Sequence, residues 1–159
     1  MKRTIVLSCI AVLGAATAWA QDSPRGESKI TLNGKSIAID YGRPSLRGRD
    51  MLGRAEEGQN WRMGAGDPTT LTTGADLSFG LVAVPAGNYT LTAKKLAGGE
   101  WQLQVSSDAQ GKTMEIPLAK SELSESVEIF TIELKGEKDA GEFQMMWGKT
   151  ALKAPFKVQ

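Results

Sequence analysis

The segment YGRPSLRGRDMLGRAEEGQNWRMGAG, Tyr41 to Gly66, holds Arg43, Arg47, Arg49, Arg54 and Arg62, and every basic residue after it is a lysine. The two cations are not equivalent. A guanidinium keeps its proton and presents a planar fork of donors matched to carboxylate, sulfate or phosphate oxygens, whereas an ammonium is a hydrated point charge. Arginines gathered in one segment therefore point to recognition of an anion or another polar ligand. Arg43, Arg49 and Arg62 are the candidates to grip it, Tyr41 and Trp61 are candidate flat walls, and Asp67 completes the candidate ligand-binding set.

A second reading competes with the first and is preferred at this level. Buried guanidiniums also pin irregular loops by donating to orphan carbonyls and to acids such as Asp40, Asp50 and Asp67. Structural ion pairs gather charge as readily as binding sites do. Arg47 and Arg54 are expected to be solvated. Lysine substitution separates the readings, since a pinning arginine supports the fold and a binding arginine supports only the ligand complex.

Other chemistry is narrowed by what the chain lacks. It contains no histidine, which removes Ser-His-Asp catalysis and histidine metal ligation. Its single cysteine, Cys9, lies in the N-terminal leader, so a mature chain has neither thiol nor disulfide. Paired carboxylates remain an option for glycan hydrolysis, with Asp40, Asp50, Glu56, Glu57 and Asp67 as the nearby acids. Calcium would need an acidic loop of the D-x-D-x-D-G type, which does not occur. No cofactor or metal is expected.

The elements that must position these residues read as strands. Apolar residues recur at every second position in KITLN and SIAIDY, with Asn33-Gly34 between them as a hairpin turn. The same period marks Leu77, Phe79 and Leu81; Tyr89, Leu91 and Ala93; Trp101, Leu103 and Val105; and Met114, Ile116 and Leu118. It returns in Phe130, Ile132 and Leu134, in Phe143, Met145 and Trp147, and in Ala154, Phe156 and Val158. Pro85-Ala86-Gly87, Gly98-Gly99 and the stretches 108–111 and 136–141 supply turns. The pattern predicts an all-β fold, a single antiparallel β-sandwich of jelly-roll type with about 8–10 strands. Helix is confined to a turn or two near Asp50–Gly58 and a turn at Lys120–Leu123.

The chain begins with Lys2 and Arg3, an apolar run, and Ala18-Trp19-Ala20, the pattern of a cleavable signal peptide over residues 1–20. The run is shorter than the roughly 20 residues of a membrane-spanning helix, and Cys9 sits in a poor lipoprotein context. Residues 21–28 are expected to be a disordered lead-in and 29–159 one domain, exported to the periplasm or beyond. From Gln21 to Arg62 eight basic residues face six acids, and from Met63 onward nine lysines face twelve acids. Such a balance argues against a nucleic-acid partner and against stable membrane insertion.

YGRPSLRGR, then NWRMGA, VPAGNYTL, EWQLQV and APFKV, in this order, resemble the secreted bacterial family catalogued as domain of unknown function twenty-nine-eleven, over roughly Ser28–Val158. The family pattern is matched by Tyr41, Arg43, Pro44, Gly48, Arg49, Trp61, Arg62, Gly64 and Ala65, and by Pro85, Gly87 and Tyr89. It is departed from at Gly66-Asp67-Pro68. The resemblance implies an all-β secreted domain and carries no activity. The expectation is a non-enzymatic binding or envelope-associated module, with a carboxylate-dependent glycan hydrolase as the alternative.

Overall fold

The computed structural model describes residues 23–159, so the expected signal peptide and Cys9 lie outside the described residues. Strands whose side chains alternate between the interior and water make up most of the fold. β1 (Arg25–Leu32) and β2 (Lys35–Gly42) form a hairpin joined by Asn33-Gly34, both at positive φ, the backbone that a two-residue type I′ turn demands. β3 (Asn60–Arg62) and β4 (Thr69–Thr73) lie end to end along one edge of β7 (Gly87–Lys95). β8 (Trp101–Ser107) pairs with the other edge of β7 and then with the start of β9 (Lys112–Glu137). β10 (Ala140–Val158) returns along β9 and ends against β5 (Leu77–Phe79), which pairs with β6 (Val82–Val84).

The result is one open antiparallel sheet of ten strands, ordered β1-β2-β4-β7-β8-β9-β10-β5-β6 with β3 beside β7. The all-β expectation holds. The two layers are not separate sheets, because β9 and β10 are long enough to belong to both. β9 pairs with β8 through residues 112–118 and with β10 through 119–137, and the β9–β10 register slips on both sides of Gly148. Five more residues fall on β9 than on β10 across this slip, which bends the pair and folds the sheet over. The turn expected at Lys120–Leu123 is part of this bend rather than a helical turn.

Between the layers the predicted inward positions meet. Ile37, Leu91, Leu103, Val105, Phe130, Met145 and Phe156 are buried, and Trp101 and Trp147 are core residues as expected. Tyr89 closes the Pro85-Ala86-Gly87 turn by donating its hydroxyl to the Pro85 carbonyl at 2.7 Å. Burial, and to a lesser degree Asp76, raises its pKa above the usual phenol value.

Three expectations are corrected. Residues 25–28 are not a lead-in: they pair with residues 39–42, and Arg25 binds Asp40 across that register. Leu81 is not on an inward stripe, because Gly80 adopts positive φ and the chain reverses there, leaving Leu81 fully exposed at the β5–β6 tip. Residues 50–58 form hydrogen-bonded turns rather than a helix, with Arg54 and Ala55 donating to the Asp50 and Leu52 carbonyls.

One edge of β9 holds the layers in place. In an antiparallel strand the N–H and C=O of alternate residues face the same side. From 128 to 134 that side faces the first layer, and four of its groups are answered there. The Glu128 carbonyl accepts from Leu46 N at 2.9 Å, and Phe130 N donates to the Pro44 carbonyl at 2.9 Å. The Ile132 carbonyl accepts from the Tyr41 hydroxyl at 3.2 Å, and Leu134 N donates to Ser28 Oγ at 2.8 Å. Tyr41 also sets its ring edge-on to Phe130, with centroids 5.8 Å apart. Tyr41→Phe keeps the ring and removes only the donor to a buried carbonyl. Urea denaturation is expected to show a loss of about 1–2 kcal/mol, with the native fold retained.

Candidate functional site

The path from β2 to β3 is built on a close backbone crossing. A Cβ on Gly42 would overlap the Ala65 carbonyl, and one on Gly64, at φ +106°, would crowd the Gly42 carbonyl. Only glycines let the YGRP and WRMGA segments touch in this way. The crossing brings Ala65 to the side of Arg43.

Arg43 comes next in the chain. Its backbone N donates to the Pro24 carbonyl at 2.7 Å, and its side-chain stem lies over Gly26, where a Cβ would strike Cδ. Pro44 and Leu46 then join β9, so that Ser45 stands opposite Ile129. Arg47 at φ +50° and Gly48 at φ +73° turn the chain back, with Arg49 N donating to the Leu46 carbonyl at 3.1 Å. This is a type I′ turn with a non-glycine residue at its first central position. The Glu128 carboxylate holds it there by accepting from Arg47 N at 3.0 Å.

These steps leave an open groove of about 670 Å³. Arg43, Arg47 and Arg49 supply its charge, Pro24, Pro44, Ala65 and Ile129 its apolar wall, and no carboxylate among the described residues lines it. The guanidiniums are only partly engaged. Arg49 Nε donates to the Leu46 carbonyl at 3.0 Å, and Arg43 Nε is buried with no acceptor among the described residues. The ion pairs among the described residues, Arg25–Asp40, Lys135–Glu133 and Lys153–Glu142, involve none of the three.

The other expected site residues lie elsewhere. Tyr41 is buried in the β9 seam and cannot wall a ligand. Trp61 packs among Trp101, Phe130 and Trp147, with centroids 6.3, 5.6 and 5.9 Å away, and belongs to the core. Arg62 donates to the Gly66 carbonyl, four residues on, and pins its own loop. Asp67 is exposed and outside the groove; its backbone carbonyl accepts from Arg25 at 3.1 Å. Of the expected set, Arg43 and Arg49 line the groove, and Arg47, expected from the sequence to be solvated, lines it with them. Nothing local in the sequence announces the pairing of Ser45 with Ile129, 84 residues away.

The acids considered for hydrolysis do not converge on the groove. Asp40 is held by Arg25, Asp50 accepts from Gly53 N at 2.9 Å, and Glu56 accepts from Gln59 at 2.6 Å. Among the described residues no group of three potential metal ligands occurs, and no helix is long and apolar enough to cross a membrane.

Residues 23–156 match the model of the family described as Protein of unknown function (DUF2911). The chain belongs to this family. No curated protein and no solved structure matches it. The residues on which the resemblance to the family rests divide sharply in the fold. Tyr41, Trp61, Arg62 and Gly64 build and cross-brace the loop, whereas Arg43 and Arg49 face the groove.

Two glycine substitutions separate the crossing from the groove it supports. Gly42→Ala sets a methyl into the Ala65 backbone and is expected to cost about 3 kcal/mol in chemical denaturation, the upper end for overpacking. Gly26→Ala meets only the flexible stem of Arg43 and is expected to cost less than about 1 kcal/mol while moving that side chain.

Proposed function

We propose that this protein is an exported, non-enzymatic binding module whose ligand carries an anionic group, taken up in the Arg43–Arg47–Arg49 groove. The observation that carries the reading is the buried Arg43 Nε, in the wall of a groove with three guanidiniums and, among the described residues, no lining carboxylate. A guanidinium cannot shed its proton, so its donors call for acceptors. An oxyanion entering the groove supplies them, and Arg47 and Arg49 add charge-assisted bonds.

Hydrolysis lacks comparable support, because the acids near the loop are engaged in structural bonds or stand apart from the groove. A periplasmic or extracellular setting fits a leader ending at Ala20. N-terminal sequencing of the chain recovered from outside the cytoplasm is expected to begin at Gln21.

Thermal denaturation with sulfate, phosphate and organic acids, against chloride at equal ionic strength, tests the site. An anion at ten times its Kd adds about 1.4 kcal/mol, a Tm rise on the order of 5 °C for a domain of this size. Arg43→Lys, which breaks no side-chain bond among the described residues, is expected to leave the unliganded Tm nearly unchanged and to abolish most of the rise. Arg62→Lys is expected to do the opposite, losing about 0.5–1 kcal/mol of stability and keeping the rise. Equal protection of wild type and Arg43→Lys by every anion would remove the groove as the site.

A further inference from the structure

The geometry points to a small amphiphilic anion as the ligand, an acidic head on a short hydrocarbon body, with Ile129 as the residue that selects the body. The ligand class so named rests on the groove being an anion site. Two large apolar residues of the described chain are exposed, Leu81 at a hairpin tip and Ile129 in the groove, the latter at 42 %. A single exposed apolar residue is ordinary. Ile129 differs from Leu81 because it is held in place and surrounded.

The neighbouring hydrogen bonds, Leu46 to Glu128 and Phe130 to Pro44, fix it opposite Ser45, where side chains of paired strands stand close. Arg43 and Arg47 flank Ser45 in the chain, and Pro24, Pro44 and Ala65 extend the same apolar wall. Inorganic sulfate or phosphate would satisfy the guanidiniums and leave this wall in water. A hydrocarbon attached to the acid covers it, and a groove of about 670 Å³ is of the size that takes a small organic molecule.

The test is a series of unbranched carboxylates, acetate, butyrate, hexanoate and octanoate, together with inorganic sulfate and butyl sulfate. All are titrated below their self-association concentrations into the purified protein and followed by calorimetry. Each methylene that reaches the wall is expected to tighten binding about fourfold, with a plateau once Ile129 is covered. Butyl sulfate is expected to bind more tightly than sulfate. In Ile129→Ser, an exposed change expected to leave the fold intact, the series flattens while sulfate affinity stays the same.

A flat series in the wild type, with sulfate bound as tightly as butyl sulfate, overturns the amphiphile and leaves the anion site standing. A steep series unchanged by Ile129→Ser overturns it as well, because the hydrocarbon then lies elsewhere. Failure of every anion to bind, with Arg43→Lys indistinguishable from wild type, sinks the groove itself. The same chemistry is offered by anionic lipids, so vesicles containing phosphatidylglycerol form a second arm. No co-sedimentation is expected from a groove walled for a small molecule, and co-sedimentation lost in Ile129→Ser would overturn the soluble ligand in favour of a membrane-held one.

Discussion

The edge of β9 between Glu128 and Leu134 is the constraint around which this protein is arranged. Folding one sheet over on itself hides the backbone groups of that edge from water, and a buried N–H or C=O without a partner costs as much as a lost hydrogen bond or more. A neighbouring strand would answer all of them at once. Here four different pieces answer four of them: the Leu46 N–H, the Pro44 carbonyl, the Tyr41 hydroxyl and the Ser28 hydroxyl. Two are backbone and two are side chains, because the first layer diverges from β9 as it goes. Near Pro44 the chains are close enough to pair. Near Tyr41 and Ser28 a side chain must span the gap.

The groove is the other consequence of this divergence. Pro44–Leu46 is drawn away from β1 to reach β9, while Arg43 N remains tied to Pro24. The space opened between those two attachments is where the guanidiniums stand. On the far side the glycine crossing of Gly42 and Gly64 sets how near Ala65 can come. The seam and the groove are therefore built by neighbouring residues with separate surroundings. Tyr41 serves the seam and Arg43 serves the groove, two positions along one chain.

Much of the fold was legible because a strand with one buried face writes its period into the sequence. Ile37, Ile39 and Tyr41, or Trp101, Leu103 and Val105, admit one orientation, since a slip by one residue would turn the whole stripe to water. The turn at Asn33-Gly34 was legible for a comparable reason, its backbone being one that few residue pairs adopt. Edges and faces without a stripe were not legible. Arg25-Gly26-Glu27-Ser28 has no apolar side chain to announce a strand, yet its register against β2 extends through all four. Tyr41 and Trp61 looked like ligand walls because a flat ring serves a pocket or a core equally well. Only the distant partners, Ile132 for one and Trp147 for the other, decide between them. Ile129 was invisible as a site residue, since nothing local says that its opposite number is Ser45.

The crowding of arginine into one segment now has a physical account in two parts. Arg62 and Arg49 each reach a main-chain carbonyl a few residues away, work that suits a rigid fork with several donors. Among the described residues Arg43 and Arg47 have no such carbonyl, and none of those lining the groove is a carboxylate. The chain does not lack acids nearby: Glu128 lies beside the turn, but its carboxylate accepts from the backbone N–H of Arg47. Neutralising the guanidiniums would have needed only one acid on the groove wall, and among the described residues that wall carries Ile129 and prolines instead. Clustered like charges repel and weaken a fold slightly, a cost tolerable where the β9 seam supplies the stability. After the segment every cation is a lysine, adequate for a solvated surface. Arg54 is exposed, whereas Arg43 and Arg47, likewise without a side-chain bond among the described residues, stand together in the groove wall.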